Sequence, residues 1–287
     1  MSLRTLPLRD GTRVPALGLG TWGLGEDLSR RTADVRAVRS ALDLGYRLID
    51  TAEMYGEGGA EEVVGQALAE AFRSGGLDRD DVFVVTKVYP HHASRRGTVD
   101  ACARSLQRLG LDHVDLYLLH WPGQHPVAHT VAGMRELASA GRIRNWGVSN
   151  FDVDDLDELE AVGDDGPACA TNQVYFSLSE RGPEHSLLPW QRRRHMPLMA
   201  YSPIDQGALT HDDAVADVAA RHGVTPAQVA LAWLLSHDGV FAIPKAAKEA
   251  HQRENLAAAS LVLTADDRAD LDAVHPAPSR KQPLAML

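Results

Sequence analysis

Four polar residues, Asp50, Tyr55, Lys87 and His120, lie at or just past the ends of apolar runs. Asp50 closes Tyr46-Arg47-Leu48-Ile49, and Tyr55 sits in the segment after it. Lys87 closes Val82-Phe83-Val84-Val85-Thr86, and His120 closes Val114-Asp115-Leu116-Tyr117-Leu118-Leu119. Burying such groups without partners costs several kcal/mol, so each must find one. Taken as one site, they suit protonating an oxyanion as it forms on a carbonyl. A free phenol, with a pKa of ~10, gives up its proton reluctantly near neutrality. An ammonium at Lys87 is therefore expected to lower the pKa of Tyr55, with Asp50 keeping Lys87 charged and oriented. His120 is expected to position a carbonyl oxygen by donating a hydrogen bond. Singly, each residue has a structural reading as turn acceptor, satisfied core tyrosine or structural histidine. Their joint occurrence at successive strand ends favours function.

Other chemistries fit less well. His125 and His129 have helical metal-ligand spacing, but no third ligand accompanies them. Asp50 and Glu53 are too close in one loop to flank a sugar from opposite sides, and that reading leaves Lys87 without a role. Gly18-Leu19-Gly20-Thr21-Trp22-Gly23 matches GxGxxG. A dinucleotide fingerprint needs a buried strand before it and a helix opening inside it, and neither is present. The glycines are expected instead to let the backbone turn tightly at the mouth of a first strand.

The elements that would hold these residues alternate. Residues 6–14 read as a hairpin around Asp10-Gly11. Strands then end near Gly20, Asp50, Lys87, His120, Ser149, Gln173, Tyr201 and Pro244. Helical patterns occupy 33–44, 60–72, 98–109, 127–140, 153–161, 184–194, 212–222, 225–237 and 249–258, and Thr264 opens a last helix. Gly45, Gly110 and Gly223 stand where helix C-caps belong. Strand–helix alternation repeated about eight times predicts an α/β fold, a (β/α)8 TIM barrel with an N-terminal β-hairpin and an extra C-terminal helix and tail. With no linker or low-complexity stretch, residues 1–287 are read as a single domain.

The formal net charge of -10 argues against broad binding to nucleic acid or anionic membranes. Cys102 and Cys169 lack CxxC or zinc-like spacing and read as free thiols. No apolar run approaches the ~18 residues of a membrane span. The reading is a soluble, cytoplasmic protein.

At this level of detail the chain resembles the aldo-keto reductase family over nearly its whole length. The carrying segments are Asp50-Thr51-Ala52-Glu53-Met54-Tyr55-Gly56, Val84-Val85-Thr86-Lys87, Leu118-Leu119-His120-Trp121-Pro122 and Gly147-Val148-Ser149-Asn150-Phe151. Asn172-Gln173, Ala200-Tyr201-Ser202-Pro203 and Ile243-Pro244-Lys245 complete the set. The wording is most similar to small bacterial members of methylglyoxal reductase type. The resemblance implies reduction of aldehydes and ketones, including small reactive α-dicarbonyls such as methylglyoxal, by an NADP(H)-dependent oxidoreductase. It implies a tetrad of Asp50, Tyr55, Lys87 and His120, with Tyr55 as general acid. Cofactor contacts are implied for Thr21, Trp22, Ser149, Asn150, Gln173, Tyr201, Ser202, Lys245, Lys248, His251, Glu254 and Asn255, with Tyr201 stacking on the nicotinamide. Trp22, Met54 and Trp121 would line the substrate pocket; no metal, nucleic-acid or membrane partner is implied, and a monomer is expected.

The segment after the last strand departs from the family pattern. Ala246 stands where a serine is usual, and His251 lies close to where an arginine grips the cofactor's 2′-phosphate. Lys248 is expected to substitute for the missing contacts; NADP(H) stays favoured over NAD(H), which is the alternative. A slow cofactor-sensing subunit on the same barrel is the competing functional class.

Overall fold

The computed structural model describes residues 4–287. An antiparallel hairpin comes first, β1 (Thr5–Pro7) paired with β2 (Arg13–Pro15). Among the described residues, eight parallel strands then form one sheet in sequence order. They are β3 (Leu19–Gly20), β4 (Leu48–Asp50), β5 (Phe83–Val88), β6 (Val114–Leu119), β7 (Ile143–Ser149), β8 (Asn172–Tyr175), β9 (Leu198–Tyr201) and β10 (Val240–Ala242). The intervening helices are α1 (Arg31–Leu44), α2 (Gly59–Arg73), α3 (Arg95–Leu109), α4 (Val127–Ser139), α5 (Val153–Glu160) and α6 (Leu187–Arg193). α7 (Asp213–His222) and α8 (Pro226–Leu235) both precede β10, and α9 (Glu249–Ala258) and α10 (Ala265–Val274) follow it. None of these helices is long and apolar enough to cross a membrane.

The first and last strands meet and close the sheet into a barrel. Gly18 N–H donates to the Ala242 carbonyl (2.8 Å), Gly20 N–H to that of Pro244 (3.1 Å), and Ala242 N–H to that of Ala16 (2.9 Å). This seam is what the glycine run is for. A Cβ on Gly18 would lie 2.5 Å from Leu48 Cγ, and one on Gly20 would lie 2.6 Å from the Ile243 carbonyl oxygen. No helix begins within the run, and α1 starts only at Arg31.

The pleat sorts the side chains. Leu48, Val85, Leu116, Leu118, Met199 and Phe241 form an inner apolar cluster. Ile49, Val84, Tyr117, Leu119, Val174 and Ala200 pack outward with the helices. With a period of two, Asp50, Lys87, His120, Gln173 and Tyr201 must share the inner face, past the end of the apolar layer. Leu8 and Val14 of the hairpin join the inner cluster and plug the opposite end.

Three boundaries differ from expectation. The pattern at 184–194 resolves into a 3-10 turn, Gly182–Glu184, followed by α6. Pro183 is the second residue of the first, and Pro189, lacking an N–H, is tolerated in the first turn of the second. α8 stops at Leu235, and His237 turns back to bond the Trp233 carbonyl and Glu184. The last strand ends at Ala242, two residues early, with Lys245 making only an isolated bridge to Gly20. The glycine C-caps at 45, 110 and 223 are left-handed. The tail at 276–287 has no helix or strand, but Lys281 pairs with Asp152 (3.2 Å) and Leu284 packs on the core.

Gly20→Ala is expected to destabilise the barrel by roughly 1–3 kcal/mol, because the new methyl must displace backbone at the seam. Urea unfolding checks this, with exposed Gly76→Ala, whose Cβ meets only Ser74 Oγ at 3.9 Å, as a neutral control.

Candidate active site

Lys87 is fully buried at the end of β5, and its ammonium has three donors. They go to Asp50 Oδ2 (2.7 Å), the Thr51 carbonyl (2.9 Å) and the Tyr55 hydroxyl (3.2 Å). Burial alone would discharge the amine, but Asp50 and Tyr55 together hold its pKa above the ordinary value. Burial pushes the Asp50 carboxyl up, against the pull of Lys87 and of Gln173. Tyr55 departs from the sequence reading. Burial raises its pKa more than Lys87 lowers it, and Asp50 adds to the rise. The ammonium therefore does not make a free phenolate in the resting site; it holds a protonated phenol beside a positive charge.

His120 is 8% exposed, and its ring lies edge-on to Tyr55 with centroids 5.7 Å apart. Burial, then Lys87, drives its pKa well below the ordinary value, so the imidazole is neutral. Nδ1 is buried without a partner. Trp121 lies against His120 (4.9 Å), and Tyr89 meets Trp121 edge-on (5.6 Å), making an aromatic wall beside the pair.

The ends of β7, β8 and β9 carry the amide-binding candidates. Asn150 adopts a left-handed backbone, φ 59°. Its side chain is fully used: Nδ2 donates to the His120 carbonyl (3.1 Å) and Ser149 Oγ (3.2 Å), and Oδ1 accepts from the Tyr201 hydroxyl (3.0 Å). Gln173 Nε2 donates to Asp50 Oδ1 (2.8 Å). Gln173 Oε1 and the Ser149 hydroxyl proton have no partner among the described residues. One acceptor and one donor side by side match the two ends of a carboxamide. Tyr201 stacks on Tyr175 at 5.8 Å and 18°, which holds its ring flat.

The remaining expected residues divide. Thr21 is buried and bonds the Asp50 carbonyl through both N–H (3.0 Å) and hydroxyl (2.9 Å), tying β3 to β4. Trp22 is 53% exposed, Met54 half-buried, and Ser202 half-buried with a left-handed φ of 47°. Lys245, Lys248 and His251 are exposed around the start of α9, where no side chain caps the helix. Neither lysine makes an ion pair among the described residues, whereas Glu249 in the first turn is held by Arg253 (2.6 Å). Free cations at an uncapped helix N-terminus suit a phosphate. Glu254 is half-buried beside them, and Asn255 lies inside against Tyr46 rather than at the surface.

Several polar residues of the site region escape a strand-end reading. Glu53, weighed only as a hydrolase acid, is buried and bonds the backbone of Tyr89. Tyr175 donates to Asp205, which also accepts from Ser179 (2.9 Å), joining the segment after β9 to that after β8. Tyr89 follows the apolar run that carries Lys87, and that signal could have found it, whereas Tyr175 follows the polar Asn172-Gln173 and carries no such signal.

Comparison with known proteins agrees with this geometry. The model of the aldo/keto reductase family matches residues 16–276. The chain is 46% identical to methylglyoxal reductase YeaE of Escherichia coli over the full length of both. It is 35% identical to a glyoxal reductase of Bacillus subtilis, covering 94% of this chain and 92% of that one. A crystal structure of an aldo/keto reductase from Klebsiella pneumoniae, in complex with NADP and acetate, superposes with a TM-score of 0.93 at 44% identity over all of both chains. The barrel seam, the buried Asp50–Lys87–Tyr55 contact and these full-length likenesses place the chain in the aldo/keto reductase family.

Proposed function

We propose that this chain reduces small aldehydes and ketones, α-dicarbonyls such as methylglyoxal among them, to alcohols with NADPH, Tyr55 being the proton donor. The observation that carries the reading is the buried Lys87 ammonium shared between Asp50 (2.7 Å) and Tyr55 (3.2 Å). The likeness to methylglyoxal and glyoxal reductases, and to an NADP-bound structure, supports the substrate class and cofactor.

When bound, NADPH supplies the hydride. Ser149 and Gln173 would present a donor and an acceptor to its carboxamide, and Tyr201 would give its ring a flat face. Lys248 and Lys245 would meet the 2′-phosphate end. Neutral His120 donates to the carbonyl oxygen and fixes its direction. Tyr55 delivers its proton to that oxygen, and the charge left on the phenol falls beside Lys87, where a preorganised cation is worth most. Asp50 keeps Lys87 charged throughout, and Gln173 bridges Asp50 to the cofactor end of the site. Trp22, Met54 and Trp121 wall the substrate from water. The reading treats the chain as one barrel domain, monomeric and cytoplasmic, acting on freely diffusing substrates.

Tyr55→Phe is expected to lower methylglyoxal reduction by at least ~100-fold while leaving NADPH binding intact. NADPH absorbance and a fluorescence titration measure the two; full activity would remove Tyr55 as the acid. Because burial raises the phenol's pKa, reduction should hold from neutrality to beyond pH ~9 and fall only as pH rises through the tyrosine's value. Alcohol oxidation, which needs the deprotonated form, should show the opposite slope. No histidine limb near pH ~6.5 is expected in either profile, since His120 stays neutral. Lys248→Ala should raise the Michaelis constant for NADPH roughly fivefold, the worth of about 1 kcal/mol for an exposed ionic contact, and leave that for NADH unchanged.

A further inference from the structure

The geometry points to Glu53 as a positioning residue that holds the Tyr55 loop in its working place. The inference rests on the reading of Tyr55 as the proton donor. Glu53 lies in the turn between Asp50 and Tyr55, and its side chain is 5% exposed. Its Oε1 accepts from the Tyr89 N–H (2.8 Å) and meets His92 Nδ1 (3.0 Å). Its Oε2 faces Arg104 (3.7 Å) and Arg108 (4.0 Å) on α3. Its own N–H donates to the Lys87 carbonyl (3.4 Å). One buried carboxylate thus ties the loop after β4 to the loop after β5 and to the helix beyond it.

The Tyr55 loop needs such a tie. Residues 51–58 contain only a short 3-10 turn, interrupted by left-handed Gly56 (φ 57°) and Glu57 (φ 51°). Tyr55 N–H is satisfied within the same loop, by the Ala52 carbonyl just before that turn (3.1 Å). On the chain between Asp50 and Tyr55, Glu53 supplies the side-chain anchor to Tyr89, the residue that follows β5, the strand that carries Lys87. The same carboxylate orients Tyr89, whose ring meets Trp121 beside His120. Losing it would loosen both the donor and the wall it works against, and a displacement of about 1 Å at such a site can cost ~100-fold in rate. None of these contacts reaches the residues assigned to the cofactor.

The test uses the full chain with NADPH and methylglyoxal. Glu53→Ala is expected to lower kcat between about 10- and 100-fold while the NADPH Kd, from fluorescence quenching, stays within about twofold. Glu53→Gln keeps an oxygen for the Tyr89 N–H and should recover most of kcat. Glu53→Asp, a methylene short, should remain slow, with the Tyr55 hydroxyl drawn away from Lys87 in its crystal structure. Folded Glu53→Ala with wild-type kcat overturns the inference. So does equal loss of kcat and NADPH binding in Glu53→Ala and Glu53→Gln, which would mark a general fold role. Should Glu53→Ala not fold, the Gln and Asp variants decide, and Glu53→Asp at wild-type kcat overturns it. Wild-type protein that binds NADPH yet turns over no carbonyl would instead sink the reading of Tyr55, and the inference with it.

Discussion

A lysine ammonium buried completely inside the barrel mouth is the constraint on which the rest of the site depends. Its desolvation is affordable only because three acceptors converge on its three N–H bonds, two of them from the single segment that follows β4. Asp50 is itself fastened, by Gln173 from the far side of the barrel and by Thr21 from the first strand. Strands β3, β4, β5 and β8 are thereby joined at one residue, Asp50. Fold and site are consequently hard to separate here: the arrangement that keeps Lys87 from discharging is also the one that places a phenol beside it.

The electrostatics favour a site poised before substrate arrives. Tyr55 stays protonated because burial outweighs the nearby cation, and His120 stays neutral because burial and the cation act in the same direction. Burial therefore keeps both neighbours of the cation in the forms needed for carbonyl reduction, and the cation reinforces it only at His120. The cofactor end is built on a different principle. Ser149, Gln173 and Tyr201 are fixed by hydrogen bonds and ring packing, whereas Lys245 and Lys248 are exposed and make no ion pair among the described residues.

Much of this was legible from residues. Strand pleat and apolar runs suffice to put Asp50, Lys87 and His120 on one inner face, and the glycine run was rightly kept apart from a nucleotide fingerprint, although Gly18 and Gly20 serve close strand approach at the seam rather than the tight turn expected. The direction of the Tyr55 shift was not legible, because a neighbouring lysine is visible in sequence while the depth of burial is not. Glu53 was hidden for a related reason: its partners, Tyr89, His92 and Arg104, lie on elements whose packing no local pattern reveals. Asn255 follows a recognisable motif yet lies inside against Tyr46, since the face a helical residue presents depends on how α9 docks.

The seam between Gly18–Gly20 and Ala242–Pro244 bears on how the polypeptide is made. Its two sides lie far apart in the chain, so a ribosome must release the last strand before the sheet can close. Until then β3 and β9 both present unpaired edges, and the inner apolar layer is open to water and to other nascent chains. Such long-range closure slows folding and prolongs that exposure. The two glycines that let the strands touch are therefore as much a requirement of biogenesis as of the finished barrel, and chaperone demand during expression should follow from them.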